Sequence, residues 1–331
     1  MNLQPRRDCI SSSSHDAVVM NSLKEKINGI LDSFDTLKRV VFFDYPLHLN
    51  VGDLLIQLGT ERFFADNHIH VWKRYSVYDM PASIHGMDDD VVIVCNGGGN
   101  FGDLYQFFHK ARERVLQLYP RNPIVVLPQT VHFESQDRFR QSMEIFRSHR
   151  NCHIFVRDAR SLEILQHAGI HRSSAMPDMS QYLWGSLLAD VSSNSEVQPT
   201  RLVRRDKESK SFAGMQGNGL AAQDYDWPNI VNKSTNRLAR LMIKAILVQS
   251  KLGLQTQKYW LWRPIQDRAI WDGVRFFSKY RRIYTNRLHA MLLGLLLEHE
   301  VCAFDNSYGK LSSYRDTWLG GMKSLIWEPD E

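Results

Sequence analysis

The sequence predicts an α/β protein made of two Rossmann-like halves that face each other across a cleft. Three observations carry this expectation. Short Val/Ile-rich runs alternate with helix-period segments, the pattern of parallel sheets covered on both faces. The chain has 331 residues, against roughly 150 for a typical domain. A Ser-, Gly- and polar-rich stretch over 186–222 separates an earlier α/β series from a later one. The expected organisation is therefore a disordered tail and short helix over 1–35, a first half over 36–185, a linker and loop over 186–222, and a second half over 223–331.

Element by element, "RVVFFDY" (39–45) is a buried-strand pattern. "GDLLIQLGTERFF" (52–64) follows as a helix with Asp53 as its expected N-cap. "HIHVWKRY" (68–75) alternates as a second strand, and "DVVIVC" (90–95) is a third. A helix over 103–119 leads to the strand "NPIVVLPQTV". A helix over 137–148, the strand "CHIFVRD" and a helix over 159–167 complete the first half near Trp184. The second half offers the short strand "RLVRRD", a helix over 231–250, the strand "RRIYTN", a helix from Arg287, the strand "EVCAFDN" and a final helical stretch.

Composition narrows the function classes. Hydrophobic residues at 43% and charged residues at 23% describe an ordinary globular chain. The net charge of +5 suits an anionic substrate or an acidic membrane surface, and is too small and dispersed to indicate nucleic acid. No apolar run reaches the roughly 18 residues that span a bilayer. The opening "MNLQPRRDCISSSSHD" lacks the apolar core of a secretory signal, and its Ser run reads as a tail. Cys9, Cys95, Cys152 and Cys302 are scattered, which gives neither a zinc pattern nor a disulfide framework. These features predict a cytoplasmic protein with reduced thiols and no metal.

The stretch "VVIVCNGGGNFGDLY" (91–105) contains a literal G-x-G-x-x-G from Gly97 to Gly102. A nicotinamide fingerprint would follow the first strand and would meet an acidic residue about 20 positions on. Here the loop follows the third strand, and the next strand ends in Pro128, Gln129 and Thr130. What remains is a backbone that a ligand can approach at Gly97, Gly98, Gly99 and Asn100, with a helix start offering N–H groups to an anion. Asp103 is then either an N-cap or a base at the cleft mouth. "NVGDL" (50–54) echoes "NFGDL" (100–104), and both turns lie at carboxyl ends of strands, so Asn50 and Asp53 are expected in the same cleft.

The second informative stretch runs from Ile283 to Tyr314. Leu288, Met291, Leu292, Leu295 and Leu296 form a buried helical stripe, with Thr285 or Asn286 as the expected cap. Arg287 and His289 then meet free helix N–H groups in the first turn, a strong anion site.

"NVGDLLI", "NGGGNFGDLY", "VLPQTVHF", "VRDARS", "MPDMS", "TNRLHAMLLGLLL" and "FDNSYGKLSSY" together resemble the polysaccharide pyruvyl transferase family, in order, over residues 40–315. The resemblance implies a glycosyltransferase-B-like architecture. It also implies transfer of the enolpyruvyl carbons of phosphoenolpyruvate onto two hydroxyls of one sugar, in the making of exopolysaccharides or cell-wall glycans. A cyclic ketal forms and phosphate is released. It assigns Arg287 and His289 to phosphoenolpyruvate and carries over His132 from "LPQTVHF". His132 or His289 would supply the acid and Asp103 the base, with no cofactor, since Arg and helix N–H groups neutralise charge. The sugar acceptor would be free, lipid-linked or nucleotide-linked. A lipid-linked acceptor would bring the chain to the inner face of the membrane through "RFFSKYRRIY" (275–284), whose alternative reading is a helix end leading into a strand. Two rival functions share the frame: a nucleotide-sugar-dependent glycosyltransferase and a non-catalytic component of polysaccharide assembly.

Overall fold

A computed structural model describes residues 14–33, 39–81, 83–187, 199–203, 224–252 and 259–328. The fold is α/β with two parallel sheets. The first runs in the order β2 (Val71–Tyr75), β1 (Val40–Phe43), β3 (Val92–Cys95), β5 (Ile124–His132), β6 (Cys152–Val156), β7 (Ser173–Ala175). Its central strands β1, β3 and β5 are Val/Ile runs of the sequence, buried on both faces as parallel strands under helices must be. The strands ending near Tyr45, Cys95 and Gln129 are consecutive parallel neighbours, as expected. The second sheet runs β12 (Leu325–Trp327), β11 (Glu300–Ala303), β10 (Arg282–Thr285), β8 (Thr200–Leu202), β9 (Asp224–Tyr225), again all parallel.

Helix α2 (Val51–Asp66) connects the two cores. Val51, Leu54, Leu55 and Leu58 join the cluster around the second sheet, while Ile56, Phe63 and Phe64 join the cluster of the first. A helix buried on both faces needs apolar residues on both, so Leu54, Leu55, Ile56 and Leu58 are not confined to one stripe. Gly59 has a packing reason: a Cβ there would lie 2.0 Å from the Met179 carbonyl oxygen.

Several expectations are corrected. The helix predicted from Gly52 begins at Val51, and its N-cap is Asn50, not Asp53; the Asn50 side chain accepts from the Gly52 N–H at 3.1 Å. The helix predicted from 103 is α3 (Gln106–Leu118), capped at Tyr105 without a side-chain bond. Before it, Gly98–Gly102 forms a short strand, β4, paired parallel to the far end of β5. The helix α9 (Leu288–Leu296) is capped at Arg287 itself, whose N–H donates to Thr285 Oγ1 at 3.0 Å.

Helix α8 (Tyr259–Phe277) is expected from the sequence only at its end, in the reading of 275–284 as a helix end leading into a strand; Pro264 inside it conceals the rest. Together with α7 (Lys233–Lys251) it covers the first sheet: Ala239, Ile246, Tyr259, Trp262 and Ile265 belong to that sheet's core. The aromatic–basic stretch 275–284 is the end of α8 and the turn into β10, with Phe276 and Phe277 buried and Tyr280 and Tyr284 half-buried. The second half also closes with β12, a strand beyond the predicted final helix, α10 (Lys310–Trp318).

Of the expected tail, residues 1–13 lie outside the described residues, as does most of 186–222. Ser14–Ile27 forms helix α1, tied down through Asp16, whose carboxylate accepts from the N–H groups of Lys323 and Ser324. Among the described residues no helix is long and apolar enough to cross a membrane, and Cys95, Cys152 and Cys302 are buried free thiols.

Candidate functional site

Carboxyl ends of strands from the first sheet meet two helix starts from the second at one pocket of about 230 Å³. The first sheet contributes Asp44 after β1, Asn96 and Gly97 after β3, and Gly99 and Asn100 from β4. Asn50 and Asp53 come from the start of α2. Arg287, Leu288 and His289 enter from α9 and Lys310 from α10, while Trp227 enters from the short helix α6 (Trp227–Ile230).

The two helix starts touch. A methyl group on Gly52 would fall 2.6 Å from His289 Nδ1, so glycine at this position is what lets α2 and α9 close on each other. The glycine stretch works differently from a helix-start loop. Because Gly98–Gly102 is extended, the ligand-facing groups near it are side chains rather than helix N–H groups. A Cβ on Gly99 would lie 2.6 Å from Lys310 Nζ and 3.0 Å from Arg157 Nη2, so two cationic tips converge where glycine leaves space.

Arg157 is the centre of this cluster. It follows β6, is fully buried, and its Nε donates to Thr130 Oγ1 at 2.8 Å while Nη1 donates to Asp178 Oδ2 at 2.7 Å. Its Nη2 is buried without a hydrogen-bond partner among the described residues. A buried guanidinium N–H left unmatched costs about 1–3 kcal/mol, which an incoming anion would recover. Asp178 holds the arrangement. Burial pushes its carboxyl up, but His289 and Arg157 outweigh that and hold it well below the usual carboxylate range. It also caps a 3-10 turn (Met179–Leu183), accepting from the Ser180 N–H at 2.9 Å. His289 Nε2 lies 3.3 Å from Asp178 Oδ2 and 3.4 Å from Arg157 Nη1, so the carboxylate and the guanidinium together fix the orientation of the imidazole.

Arg287 sits where the sequence places it, at the head of α9 and in the pocket wall. Its Nη2 contacts both carboxylate oxygens of Asp226, at 2.6 and 2.7 Å. The expected fork for a ligand thus already grips an internal carboxylate. Asp226 fixes Arg287, and Arg157 and Lys310 stand at the glycine strand.

Asp44 is the second unexpected residue. It sits in the left-handed region at φ 69°, an uncommon conformation for a non-glycine residue. It is buried in the pocket wall, 3.7 Å from Arg112 Nη2. Burial pushes its carboxyl up to about 7; Arg112 and a hydrogen bond with Asn100 pull the other way without cancelling it, and nearby Asp53 adds to the rise. Arg112 also donates to Asn100 Oδ1 at 2.8 Å. A carboxyl that titrates near neutrality in a pocket is equipped to exchange protons.

Two sequence-named residues stand elsewhere. Asp103 neither caps α3 nor lines the pocket: its two oxygens accept from the N–H groups of Glu134 and Ser135, both at 2.8 Å, which fixes the loop after β5. His132 ends β5 and stacks on Tyr308 at 4.5 Å with a 19° interplanar angle, outside the pocket wall. Arg157, Asp178 and Lys310 had a signal, since they lie in "VRDARS", "MPDMS" and "FDNSYGKLSSY", but nothing local in those strings announces an anion site. Asp44 had none, because its role comes from a backbone turn and from burial. Among the described residues there is no group of three His, Cys, Asp or Glu that could hold a metal ion.

The family model described as polysaccharide pyruvyl transferase matches residues 50–308. A Bacillus subtilis protein named "Putative pyruvyl transferase EpsO" is 36% identical over 92% of this chain and 93% of its own length. "Pyruvyl transferase 1" of Schizosaccharomyces pombe is 26% identical over 87% of this chain and 71% of its own length. Among solved structures, a functionally uncharacterised protein from Klebsiella pneumoniae superposes with a TM-score of 0.59 at 18% identity, covering 93% of this chain and 98% of that one, a likeness of fold.

Proposed function

The chain belongs to the polysaccharide pyruvyl transferase family, and from that premise we propose that it moves the enolpyruvyl carbons of phosphoenolpyruvate onto two hydroxyls of one sugar in a polysaccharide precursor. The observation that carries the choice of donor is the buried Arg157 Nη2, unmatched and aimed with Lys310 Nζ at the space over Gly99. A small ligand with both a phosphate and a carboxylate suits that space, with Arg287 and the first N–H groups of α9 across the pocket. In this reading the side chains neutralise the donor and no cofactor is called on. On the same reading the enzyme is glycosyltransferase-B-like, with one Rossmann-like half around each parallel sheet, and acts in the cytoplasm.

The chemistry then assigns roles. His289, oriented by Asp178, gives a proton to the terminal enol carbon, and the central carbon becomes electrophilic. The oxygen of the first sugar hydroxyl bonds to that carbon as its proton passes to Asp44, a carboxyl suited to receive it near neutral pH. The second hydroxyl oxygen then bonds to the same carbon as the carbon–oxygen bond to phosphate breaks. One hydroxyl proton balances the new methyl group, and the other leaves with the phosphate. Asp103 and His132 take no step here, since both are outside the pocket wall.

Incubation with phosphoenolpyruvate and polysaccharide precursors, followed by phosphate assay, tests the proposal. Phosphate should appear only when an acceptor is present, and the acceptor should gain an acid-labile ketal. Binding of a nucleotide sugar with no affinity for phosphoenolpyruvate would favour a glycosyltransferase instead.

A further inference from the structure

Helix α7 carries a surface that the pyruvyl transfer chemistry does not use. Thr235, Ala239 and Ile246 turn inward, with Met242 and Ile243 packed beside them on the first-sheet core. The opposite stripe runs Arg237, Leu241, Lys244, Val248 and Lys251, at alternating steps of four and three that keep one face of a helix, with Leu252 as the cap that follows it. Its apolar members are bare: Leu241 is 61% exposed, Val248 56% and Leu252 69%. Lys233 and Arg240 flank the stripe, and from Lys233 to Leu252 there is no Asp or Glu. The five cations of this one helix equal the whole chain's net excess of +5. Beside it, at the start of α8, Trp260 is 69% exposed and Arg263 is exposed as well.

Exposed Leu and Val interleaved with Lys and Arg, with no acid among them, make a surface for a bilayer of anionic lipid. The apolar side chains enter the acyl boundary, and the long basic side chains reach their charges up to the headgroups. A second copy of the chain is a poor occupant, because a two-fold contact through this face sets five cations against five. Position supports the same choice. Lys233, Arg237, Arg240 and Lys244 line a groove that ends at Pro228, and the preceding residue, Trp227, lines the candidate site. Groove and pocket thus take adjacent residues of the short helix α6, just before α7 and its basic face begin at Lys233.

We propose that the exposed face of α7, with Trp260, docks the protein on an anionic membrane surface and presents the pocket to a lipid-linked sugar acceptor. The docking half of this inference is independent of the pyruvyl transfer reading; the choice of acceptor rests on it.

The test is flotation of the full chain with phosphatidylcholine vesicles, with and without phosphatidylglycerol, alongside calorimetric titration of phosphoenolpyruvate. The wild type should float with the anionic vesicles only, less so as salt rises. The double substitution Leu241→Asp and Val248→Asp, at exposed positions, should weaken vesicle binding at least about tenfold, and so should Arg240→Glu with Lys244→Glu; neither pair should alter phosphoenolpyruvate binding. Failure of the wild type to float, equal binding to neutral vesicles, or unimpaired binding by both double variants would overturn the docking face. So would a dimer in sedimentation that Leu241→Asp dissociates. A wild type that floats as expected but has no affinity for phosphoenolpyruvate would leave the docking face standing and remove the donor instead.

Discussion

Asn50 and Asn100 head two turns that share the letters G-D-L, and both asparagines reach the same pocket, yet the turns divide their labour in opposite ways. In the first, Asn50 is spent on backbone: it caps α2, and Asp53 is left in the pocket wall, 3.7 Å from His48 Nε2. In the second, Asp103 is spent on backbone, accepting from Glu134 and Ser135, and Asn100 is left facing the pocket with Arg112 behind it. The cause is the conformation between the polar residues. One turn enters a helix at once, whereas the other lies in the edge strand Gly98–Gly102 and its helix begins only at Gln106. Equal letters therefore carry unequal roles, and backbone geometry decides which polar side chain is available to a ligand.

The sharpest way to break this comparison is at the glycine that makes the second turn extended. Gly102 has φ 149°, and a Cβ there would lie 1.7 Å from the His132 carbonyl oxygen, backbone against side chain with no room to yield. Gly102→Ala should cost roughly 3 kcal/mol or more in urea unfolding. Gly52→Ala, in the first turn, carries no positive-φ penalty but would meet His289 Nδ1, Cβ and Cγ at 2.6–2.8 Å, so it should cost less than Gly102→Ala in the same assay while forcing α2 and α9 apart.

Asp44 lies between the two turns, feeling Asn100 from one and Asp53 from the other. If it accepts the hydroxyl proton, Asp44→Asn should lower turnover by about a hundredfold or more, and wild-type turnover should fall as pH drops below about 7. The stability sign is opposite. A carboxyl whose folded value is raised from 3.8 to about 7 stabilises the fold fully in acid and loses that contribution as pH rises through this window. Thermal melts should therefore show the wild type losing ground to Asp44→Asn between about pH 4 and pH 7, and no further above it.

Smaller effects separate the two aspartates and the two caps. Asp103→Ala strands two backbone N–H groups and should cost about 1–3 kcal/mol while phosphoenolpyruvate binding survives. Asn50→Ala removes one helix cap and should cost about 1 kcal/mol. Loss of donor binding in Asp103→Ala without loss of stability would reverse the division of labour drawn here.

Much of the fold was legible because parallel strands under helices read as uninterrupted Val/Ile runs, and the buried stripe of α9 repeats at helical spacing. The chain ends of those strands gave the pocket its location, and Arg287 and His289 were visible as the polar head of an apolar helix. Helix α8 was hidden by Pro264, and β4 by glycines that read equally well as a turn. The charge cluster was hidden for a different reason. Arg157, Asp178 and Lys310 are far apart in the chain and local in none of its patterns; only the packed fold brings the residues after β6 and β7 to the starts of α9 and α10. The burial that leaves Arg157 Nη2 unmatched and raises the Asp44 carboxyl is a property of the packed state alone.

The central claim is that Arg157, oriented by Thr130 and Asp178, receives the anionic donor over Gly99. Arg157→Lys tests it most directly, since it keeps a cation beside Asp178 but removes the second nitrogen of the fork. Calorimetric titration with phosphoenolpyruvate, with melting temperature as the check on folding, is the measurement. The account predicts at least a tenfold loss of affinity in a variant that still folds. Wild-type affinity in folded Arg157→Lys would place the donor elsewhere and contradict it.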